Sequence, residues 1–204
     1  MTEDDARAWV REHFGVPRET LVARFVDIVV AEAAQQNLVS VATLPHIWRR
    51  HIVDSAQLIA LAGPIRGEWI DIGSGAGFPG LVVAMLTDAP VMLVEPRRKR
   101  ADFLRAAAAA LGLDNRVTVR AARAEQITGH AGVISARAVA ALPELLAATV
   151  HLSTRKTRWV LPKGKSAREE VAAAQVTWHG VFHVEQSLTD PDSLIILAEK
   201  VARR

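Results

Sequence analysis

The chain has 204 residues, 50% hydrophobic and 23% charged, and its 25 Lys and Arg against 22 Asp and Glu give a formal net charge of +3. This balance excludes intrinsic disorder, which needs low hydrophobicity and high net charge, and the length fits one domain with an ample core. The chain contains no cysteine, which excludes disulfides, thiolate metal sites and covalent catalysis through a thiol.

The start of the chain and its apolar runs bear on location. Residues 1–5 are acidic where a signal peptide would be basic. The longest apolar runs, such as 106–111, fall far short of the roughly 20 residues of a membrane span. We therefore expect a cytoplasmic protein that does not bind a membrane.

The first 65 residues are predicted to form a helical N-terminal extension. Thr2 and the acids that follow it are typical of a helix N-terminus. Gly15-Val16-Pro17 ends this first helix, and apolar residues from 21 to 29 then follow helical spacing. A third helix is expected to begin near Thr43 and to end at Gly63-Pro64.

From residue 66 to residue 204 the pattern changes to alternating strands and helices, which is typical of an α/β domain. Buried parallel strands are predicted at 68–72, 91–95, 117–121, 132–136 and 158–162, and helices at 79–87, 97–112, 142–151 and 166–176. Strands predicted at 180–187 and 193–199 are separated by a turn too short for a parallel crossover, so they should form an antiparallel hairpin. We predict an open, helix-flanked, seven-stranded sheet that forms one structural unit with the extension.

A glycine-rich loop, Asp71-Ile72-Gly73-Ser74-Gly75-Ala76-Gly77-Phe78-Pro79-Gly80, follows the first predicted strand and opens a helix. Two classes of cofactor are consistent with this loop. Gly75, Gly77 and Gly80, with Glu95 closing the second strand, fit the dinucleotide fingerprint. Asp71, Gly73, Gly75 and Gly77 fit equally the loop of class I methyltransferases, which bind S-adenosylmethionine.

The acid at the start of this loop separates the two cofactors. A carboxylate at Asp71 suits the cationic S-adenosylmethionine and disfavours a pyrophosphate, because like charges repel at short range. No second domain follows residue 137 that could bind the substrate of a nicotinamide enzyme. We therefore predict an S-adenosylmethionine-dependent methyltransferase, with Asp71, Gly73, Gly75 and Gly77 at the cofactor and Glu95 on its ribose hydroxyls.

The methyl acceptor can be narrowed by elimination. Carbon-5 of a pyrimidine usually needs a cysteine nucleophile, and the chain has none. Exocyclic amines are commonly methylated by enzymes with two prolines and an aromatic residue after the fourth strand, where this chain has Ile134-Ser135-Ala136-Arg137-Ala138. A ring nitrogen with a free lone pair, such as N7 of guanine, needs no deprotonation and is favoured.

Basic residues fall into three clusters, at 49–51, 97–100 and 155–168. Such clusters attract phosphate backbones through neutralisation and counterion release, although they can also simply coat helix surfaces. We predict RNA contacts by Arg49, Arg50, His51, Lys163 and Lys165. The seven histidines show no ligand spacing with acids, so no metal site is predicted.

The chain resembles the ribosomal RNA small subunit methyltransferase G family, also called glucose-inhibited division protein B, over about residues 36–200. The motifs that carry the resemblance are Asn37-Leu38, Arg50-His51-Ile52-Val53-Asp54-Ser55, the loop from Ile70 to Gly80, Ile134-Ser135-Ala136-Arg137-Ala138 and Leu161-Pro162-Lys163-Gly164. The family often has Asn-Leu-Thr where this chain has Asn37-Leu38-Val39. The resemblance implies a Rossmann-like class I methyltransferase domain that methylates N7 of a guanine in small-subunit ribosomal RNA.

The resemblance also assigns residues. It implies that Gly73, Phe78, Ala124, Glu125 and Arg137 contact or border S-adenosylmethionine. Arg137 and Lys163 are the predicted catalytic residues. They would help to place the guanine and the RNA backbone, and no residue is required as a general base. The partner would be small-subunit ribosomal RNA or the small ribosomal subunit, bound by a monomer.

Several alternatives stay open from the residues alone. An NAD(P)-dependent oxidoreductase would use the same glycine loop, and a non-catalytic RNA-binding module could keep a vestigial cofactor fold. His51 and Asp54 lie three residues apart on a predicted helix and so share a face. A structural hydrogen bond explains this pair at least as well as catalysis does.

Overall fold

The N-terminal extension consists of short helices that the sequence largely anticipates. A computed structural model describes every residue from Met1 to Arg204. Thr2 begins the first helix with a capping box, in which its hydroxyl accepts from the Asp5 N–H at 3.1 Å and its own N–H donates to the Asp5 carboxylate at 2.9 Å. The extension comprises α1 (Glu3–Phe14), α2 (Val16–Ala33), a 3-10 helix (Val41–His46), a π-helical segment (Trp48–Val53) and α3 (Asp54–Ala62).

The predicted third helix is present from Val41 to Ala62 but is not a regular α-helix throughout. It is divided into the 3-10 helix, the π-helical segment and α3. Pro45 lies within the 3-10 helix and has no N–H to donate, so regular α-helical hydrogen bonding cannot run through it. The prediction of a helix from near Thr43 to Gly63 is therefore confirmed, except that its first half is 3-10 and π-helical rather than α-helical.

The second part of the chain forms the predicted seven-stranded sheet. Its order is β3-β2-β1-β4-β5-β7-β6, with the first five strands parallel and the last two added as an antiparallel hairpin. The strands are β1 (Glu68–Ile72), β2 (Val91–Val94), β3 (Val117–Arg120), β4 (Ala131–Ala136), β5 (Arg158–Lys163), β6 (Trp178–Gln186) and β7 (Leu194–Arg203). The flanking helices are α4 (Gly80–Leu86), α5 (Arg98–Ala110), α6 (Leu142–Thr149) and α7 (Ala167–Thr177). This order confirms the open sheet with a C-terminal hairpin.

The strand order reverses between β1 and β4, which lie side by side at the centre of the sheet. In open α/β sheets, ligands bind beyond the carboxyl ends of the strands at this switch point. Four loops meet at that edge, following β1, β2, β3 and β4. The fold thus places the glycine loop and the end of β2 next to the segment that follows β4.

Two apolar cores cover the two faces of the sheet. One face buries Trp69 and Leu93 together with Phe25 and Leu58 of the extension, and the other buries Ile70 and Trp159 under α6 and α7. Because side chains alternate along a strand, Asp71 of β1 shares the face of Trp69. No helix combines the length and the apolarity required to cross a bilayer.

Glu19 is expected to stabilise the extension. Its side chain is 2% exposed and forms ion pairs with Arg7 and Arg11 of α1. Glu19→Ala leaves both arginines without this partner, and because they are half exposed we expect a loss of about 1–3 kcal/mol in the free energy of urea unfolding. Glu12→Ala, at an exposed position of α1, is the control, and an equal loss in both variants would contradict the role of the pair.

Candidate cofactor and substrate site

The glycine loop is held by hydrogen bonds from its own backbone to two carboxylates. Gly75 has φ +56°, a left-handed conformation that glycine adopts without steric cost, and its N–H donates to Glu95 Oε2 at 3.0 Å. Gly80 begins α4, and its N–H donates to Asp71 Oδ2 at 3.1 Å. A Cβ at Gly80 would lie 2.7 Å from that oxygen, so the helix can approach the strand this closely only at glycine.

Asp71 lies beneath the loop rather than in a cavity. It has no exposed surface and also accepts a hydrogen bond from Ser135 Oγ at 2.7 Å, while Ser135 accepts from Trp69 Nε1 at 2.8 Å. Burial raises the pKa of Asp71 to about 6, although the hydrogen bonds and Arg137 oppose the rise. Asp71 therefore ties β1, β4 and the start of α4 together.

Glu95 follows β2 and is 3% exposed. Its second oxygen, Oε1, accepts from the Arg97 N–H at 2.9 Å. Each oxygen keeps further acceptor capacity. Glu95 thus joins the glycine loop to the start of α5 while it lines the cavity described next.

A cavity of about 440 Å³ opens where the four loops meet, a size within the range of small-molecule and cofactor sites. Four predicted cofactor residues line it, namely Gly73, Glu95, Ala124 and Glu125. The other predicted ones, Asp71, Gly75, Gly77, Phe78 and Arg137, do not. The lining residues that the sequence analysis did not single out include Val94, Arg123, Val139, Ala140, Leu145 and Ala148.

A second cavity of about 290 Å³ lies next to the first, and Ala138 lines both. Its walls come from four separate parts of the chain: the extension, the end of β4, the end of β5 and the turn between β6 and β7. They comprise Thr43, Arg50, His51, Asp54, Arg137, Ala138, Pro162, Lys163, Gly164, Thr189, Ser193 and Leu194. Thr189 and Ser193 carry no signal in the sequence, because only the tertiary fold brings the hairpin turn here.

Arg137 occupies the floor between the helical extension and the sheet. Its Nη1 lies 3.5 Å from Asp54 Oδ2 and 3.4 Å from the Arg50 carbonyl oxygen, and its guanidinium lies 5.3 Å from the ring centre of Phe78. Burial lowers the pKa of Arg137, while Asp54 opposes that change. Phe78 also stacks on His51, with ring centres 4.9 Å apart, so it supports both residues from below.

Asp54 anchors the hairpin turn to this floor. Its Oδ1 accepts from Gln57 Nε2 at 3.1 Å, Thr189 Oγ1 at 3.1 Å and Ser187 Oγ at 3.3 Å. With Arg137 on the other oxygen, both carboxylate oxygens are engaged. Asp54 thus joins the helical extension, β4 and the hairpin.

His51 is uncharged at neutral pH. Burial, together with the charges of Arg137 and Arg50, lowers its pKa to about 3. Its Nε2 lies 3.0 Å from Thr43 Oγ1. His51 therefore adds no positive charge to the wall of the second cavity.

The third basic cluster is divided by β5. Lys163 and Lys165 lie at the carboxyl edge of the sheet, beside the second cavity, whereas Arg155 and Lys156 precede β5 and line a cleft at the opposite edge. A strand of six residues spans about 20 Å. Consecutive charges in the sequence thus face two different regions of the surface.

The cations near the second cavity are mostly paired. Arg50 contacts Asp190 at 2.5 Å, and Lys165 contacts Asp192 at 3.0 Å. Lys163 contacts Glu170 and is only 10% exposed, and the backbone of Arg49 donates to Glu3 of α1. Arg50 and Lys165 keep exposed side chains that can exchange their partners for phosphate.

The fold is that of class I methyltransferases, and solved structures share it. The glycopeptide N-methyltransferase MtfA complexed with sinefungin superposes with a TM-score of 0.62 at 11% identity, covering 73% of this chain and 93% of that one. A mutant of MtNAS in complex with S-adenosylmethionine gives 0.61 at 17% identity, covering 90% and 76%. At these identities the likeness shows the fold.

Sequence relatives then identify the family. The family model for GidB, rRNA small subunit methyltransferase G, matches residues 18–190. Proteins named ribosomal RNA small subunit methyltransferase G are 48% identical in Novosphingobium aromaticivorans, covering 99% of this chain and 90% of the relative, and 48% identical in Rhizorhabdus wittichii, covering 100% and 95%. The chain belongs to the rRNA small subunit methyltransferase G family, and S-adenosylmethionine is its cofactor.

The buried carboxyl of Asp71 predicts a pH dependence of stability. Because its pKa is about 6 when folded against 3.8 as the ordinary value, its contribution to stability is complete below pH 3.8 and is lost as the pH rises through about 6. Relative to Asp71→Asn, which does not titrate, the free energy of unfolding of the wild type should fall by roughly 2 kcal/mol between pH 4 and pH 7. Urea unfolding of both proteins across this range measures the difference, and a flat difference would contradict the buried carboxyl.

Proposed function

We propose that the protein transfers the methyl group of S-adenosylmethionine to N7 of a guanine in small-subunit ribosomal RNA. The observation that carries this proposal is the pair of adjoining cavities that share Ala138, one in the cofactor position of the fold and one open to the basic carboxyl edge of the sheet. Membership of the rRNA small subunit methyltransferase G family agrees with both parts of it.

The first cavity suits the proposed cofactor. Gly73 of the glycine loop approaches it with backbone only, and Glu95 and Glu125 supply carboxylates for ribose hydroxyls and cationic groups. Ala124 faces it with the apolar residues Val94 and Leu145. Bound there, S-adenosylmethionine would supply an electrophilic methyl group on a sulfonium. The roles proposed for other residues of the predicted cofactor site are indirect. Gly75 holds Glu95 and Phe78 packs against His51 and Arg137, whereas Asp71 and Gly77 shape the glycine loop itself.

The chemistry of the second cavity favours an acceptor that needs no deprotonation. His51, with its pKa near 3, binds a proton only far below neutral pH, and the oxygens of Asp54 accept hydrogen bonds from Arg137 and the hairpin turn. N7 of guanine attacks through its own lone pair. Transfer then depends on holding the base in line with the methyl group.

Arg137 is proposed to orient the base. Two of its contacts use Nη1, which leaves other guanidinium N–H groups for an acceptor such as O6 of guanine. Asp54 compensates the positive charge of Arg137. This matters because the transfer places a positive charge on the guanine, which an uncompensated arginine would repel.

The proposal extends to the form of the RNA substrate, the oligomeric state and the cellular location. We propose that small-subunit RNA reaches the site alone or within the small subunit, along the edge that carries Arg49, Arg50, His51, Lys163 and Lys165. Both cavities form within one chain, so we propose that a monomer suffices. We place this reaction in the cytoplasm, away from membranes.

The function is tested by incubating the protein with labelled S-adenosylmethionine and small-subunit RNA lacking the modification. We expect label in N7-methylguanosine, mapped by mass spectrometry of nuclease fragments. Glu95→Gln leaves one acceptor oxygen for two N–H groups, and its affinity for S-adenosylmethionine by calorimetry should fall at least roughly tenfold. Asp102→Asn, on the exposed side of α5, is the control.

Three results would contradict the proposal. Methylation at another atom would overturn the N7 assignment. RNA binding without methyl transfer would indicate a non-catalytic module. Stabilisation by NADH but not by S-adenosylmethionine would indicate an oxidoreductase.

The division of the third basic cluster predicts which lysines contact RNA. Lys165→Glu, at the carboxyl edge, should weaken RNA binding several-fold and reduce its dependence on salt. Lys156→Glu, an equal charge change at an exposed position of the opposite edge, should have a smaller effect. Filter binding at several salt concentrations compares them, and equal losses would refute the proposed orientation of the RNA.

A further inference from the structure

The segment that follows β4 separates the two cavities. Ala138, Val139 and Ala140 line the first cavity, while Arg137 and Ala138 line the second. Ala138 has φ +55°, which disfavours any residue with a Cβ. A residue in such a conformation persists only where its surroundings hold it, so neighbouring contacts must hold this segment.

Lys163 and Glu170 provide those contacts. The Lys163 ammonium donates to the Ala140 carbonyl at 2.6 Å and to Glu170 Oε2 at 2.8 Å. The same Glu170 oxygen accepts from the Leu142 N–H, the first residue of α6, at 2.9 Å, and Ser166 Oγ donates to Oε1 at 2.9 Å. The two side chains therefore bind the segment at two of its polar backbone groups, Ala140 C=O and Leu142 N–H.

The side chains of Lys163 and Glu170 are mostly buried, whereas Ala140 and Ser166 are exposed. The side chains of Lys163 and Glu170 are 10% and 17% exposed, in contrast to Lys165 and Asp192 nearby, which are 76% and 64% exposed. Burial raises the pKa of Glu170, but hydrogen bonds from Lys163 and Ser166 outweigh it and the pKa lies below its ordinary value. Glu170 is thus a carboxylate at neutral pH, and the pair is ionised.

We propose that Lys163 and Glu170 are positioning residues that hold the 138–142 segment in the shape that both cavities require. The inference deepens the proposed function, on which it rests, and it assigns Lys163 a role different from the RNA contact that the sequence predicts. Lys163 acts through the Ala140 carbonyl, and Glu170 acts through Lys163 and the Leu142 N–H. Neither needs to touch the RNA or the methyl group.

A positioning role and an RNA contact for Lys163 predict different results for the Glu170→Gln variant. If the pair positions the segment, Lys163→Met and Glu170→Gln both distort the shared wall and both weaken cofactor binding. If Lys163 instead binds RNA phosphate, Glu170 competes with that phosphate, so Glu170→Gln strengthens RNA binding. In that case neither variant changes cofactor affinity.

The experiment measures S-adenosylmethionine binding by calorimetry without RNA, and RNA binding separately, for Lys163→Met, Glu170→Gln, the double variant and Glu169→Gln. Glu169 is adjacent, exposed and on the same helix, which makes it the matched control. We expect a loss of cofactor affinity of roughly tenfold in each single variant, and a double variant no weaker than the weaker single one. The control should bind like the wild type.

Several outcomes overturn the inference. Unchanged cofactor affinity in both single variants, or tighter RNA binding by Glu170→Gln, would contradict the positioning role and favour an RNA contact for Lys163. Additive losses in the double variant would show that the two residues do not act as a unit. If Lys163→Met does not fold, the nearly isosteric Glu170→Gln decides alone, with thermal unfolding as the check on its fold.

The same measurement separates this inference from the proposed function. A wild-type protein that binds no S-adenosylmethionine would defeat the function itself. A wild type that binds it, with both variants equal to it, would defeat only the positioning role.

Discussion

The site depends on backbone N–H groups of the glycine loop that donate to two buried carboxylates. Gly80 donates to Asp71 and Gly75 donates to Glu95, so the loop is attached to β1 and β2 at once. Buried polar groups are costly unless they are paired, and here each carboxylate satisfies N–H groups that a tight turn would otherwise leave open. The loop geometry then sets the position of Phe78, on which Arg137 and His51 rest.

A second set of contacts continues from this loop across the site. Arg137 contacts Asp54, and Asp54 binds the hairpin turn through Thr189 and Ser187. Lys163 holds the intervening wall from the other side. Parts of the chain that are far apart in sequence thereby meet in two neighbouring polar networks, one around Asp54 and one around Glu170. Such networks are worth most when every member is satisfied.

Much of the fold could be predicted because its signals are local. Apolar runs predicted the strands, and the glycine loop together with Glu95 predicted a cofactor site at the ends of the first two strands. The directions in which individual side chains point could not be predicted. Asp71 was expected at the cofactor and lies beneath the loop, because its strand position directs it to the face of Trp69. Arg155 and Lys163 belong to one cluster in sequence, yet the length of β5 separates them.

The hairpin has a consequence for the order in which the protein can assemble. The turn between β6 and β7 supplies Thr189 and Ser193 to the second cavity, and Leu194 at the start of β7, which pairs with β5, also lines it. The first cavity is lined by residues up to 148, and Lys163 and Glu170, which hold its wall, also precede the hairpin. During synthesis, the first cavity can therefore form before the second cavity is complete. The second cavity needs contacts between residues that are the most distant in the sequence.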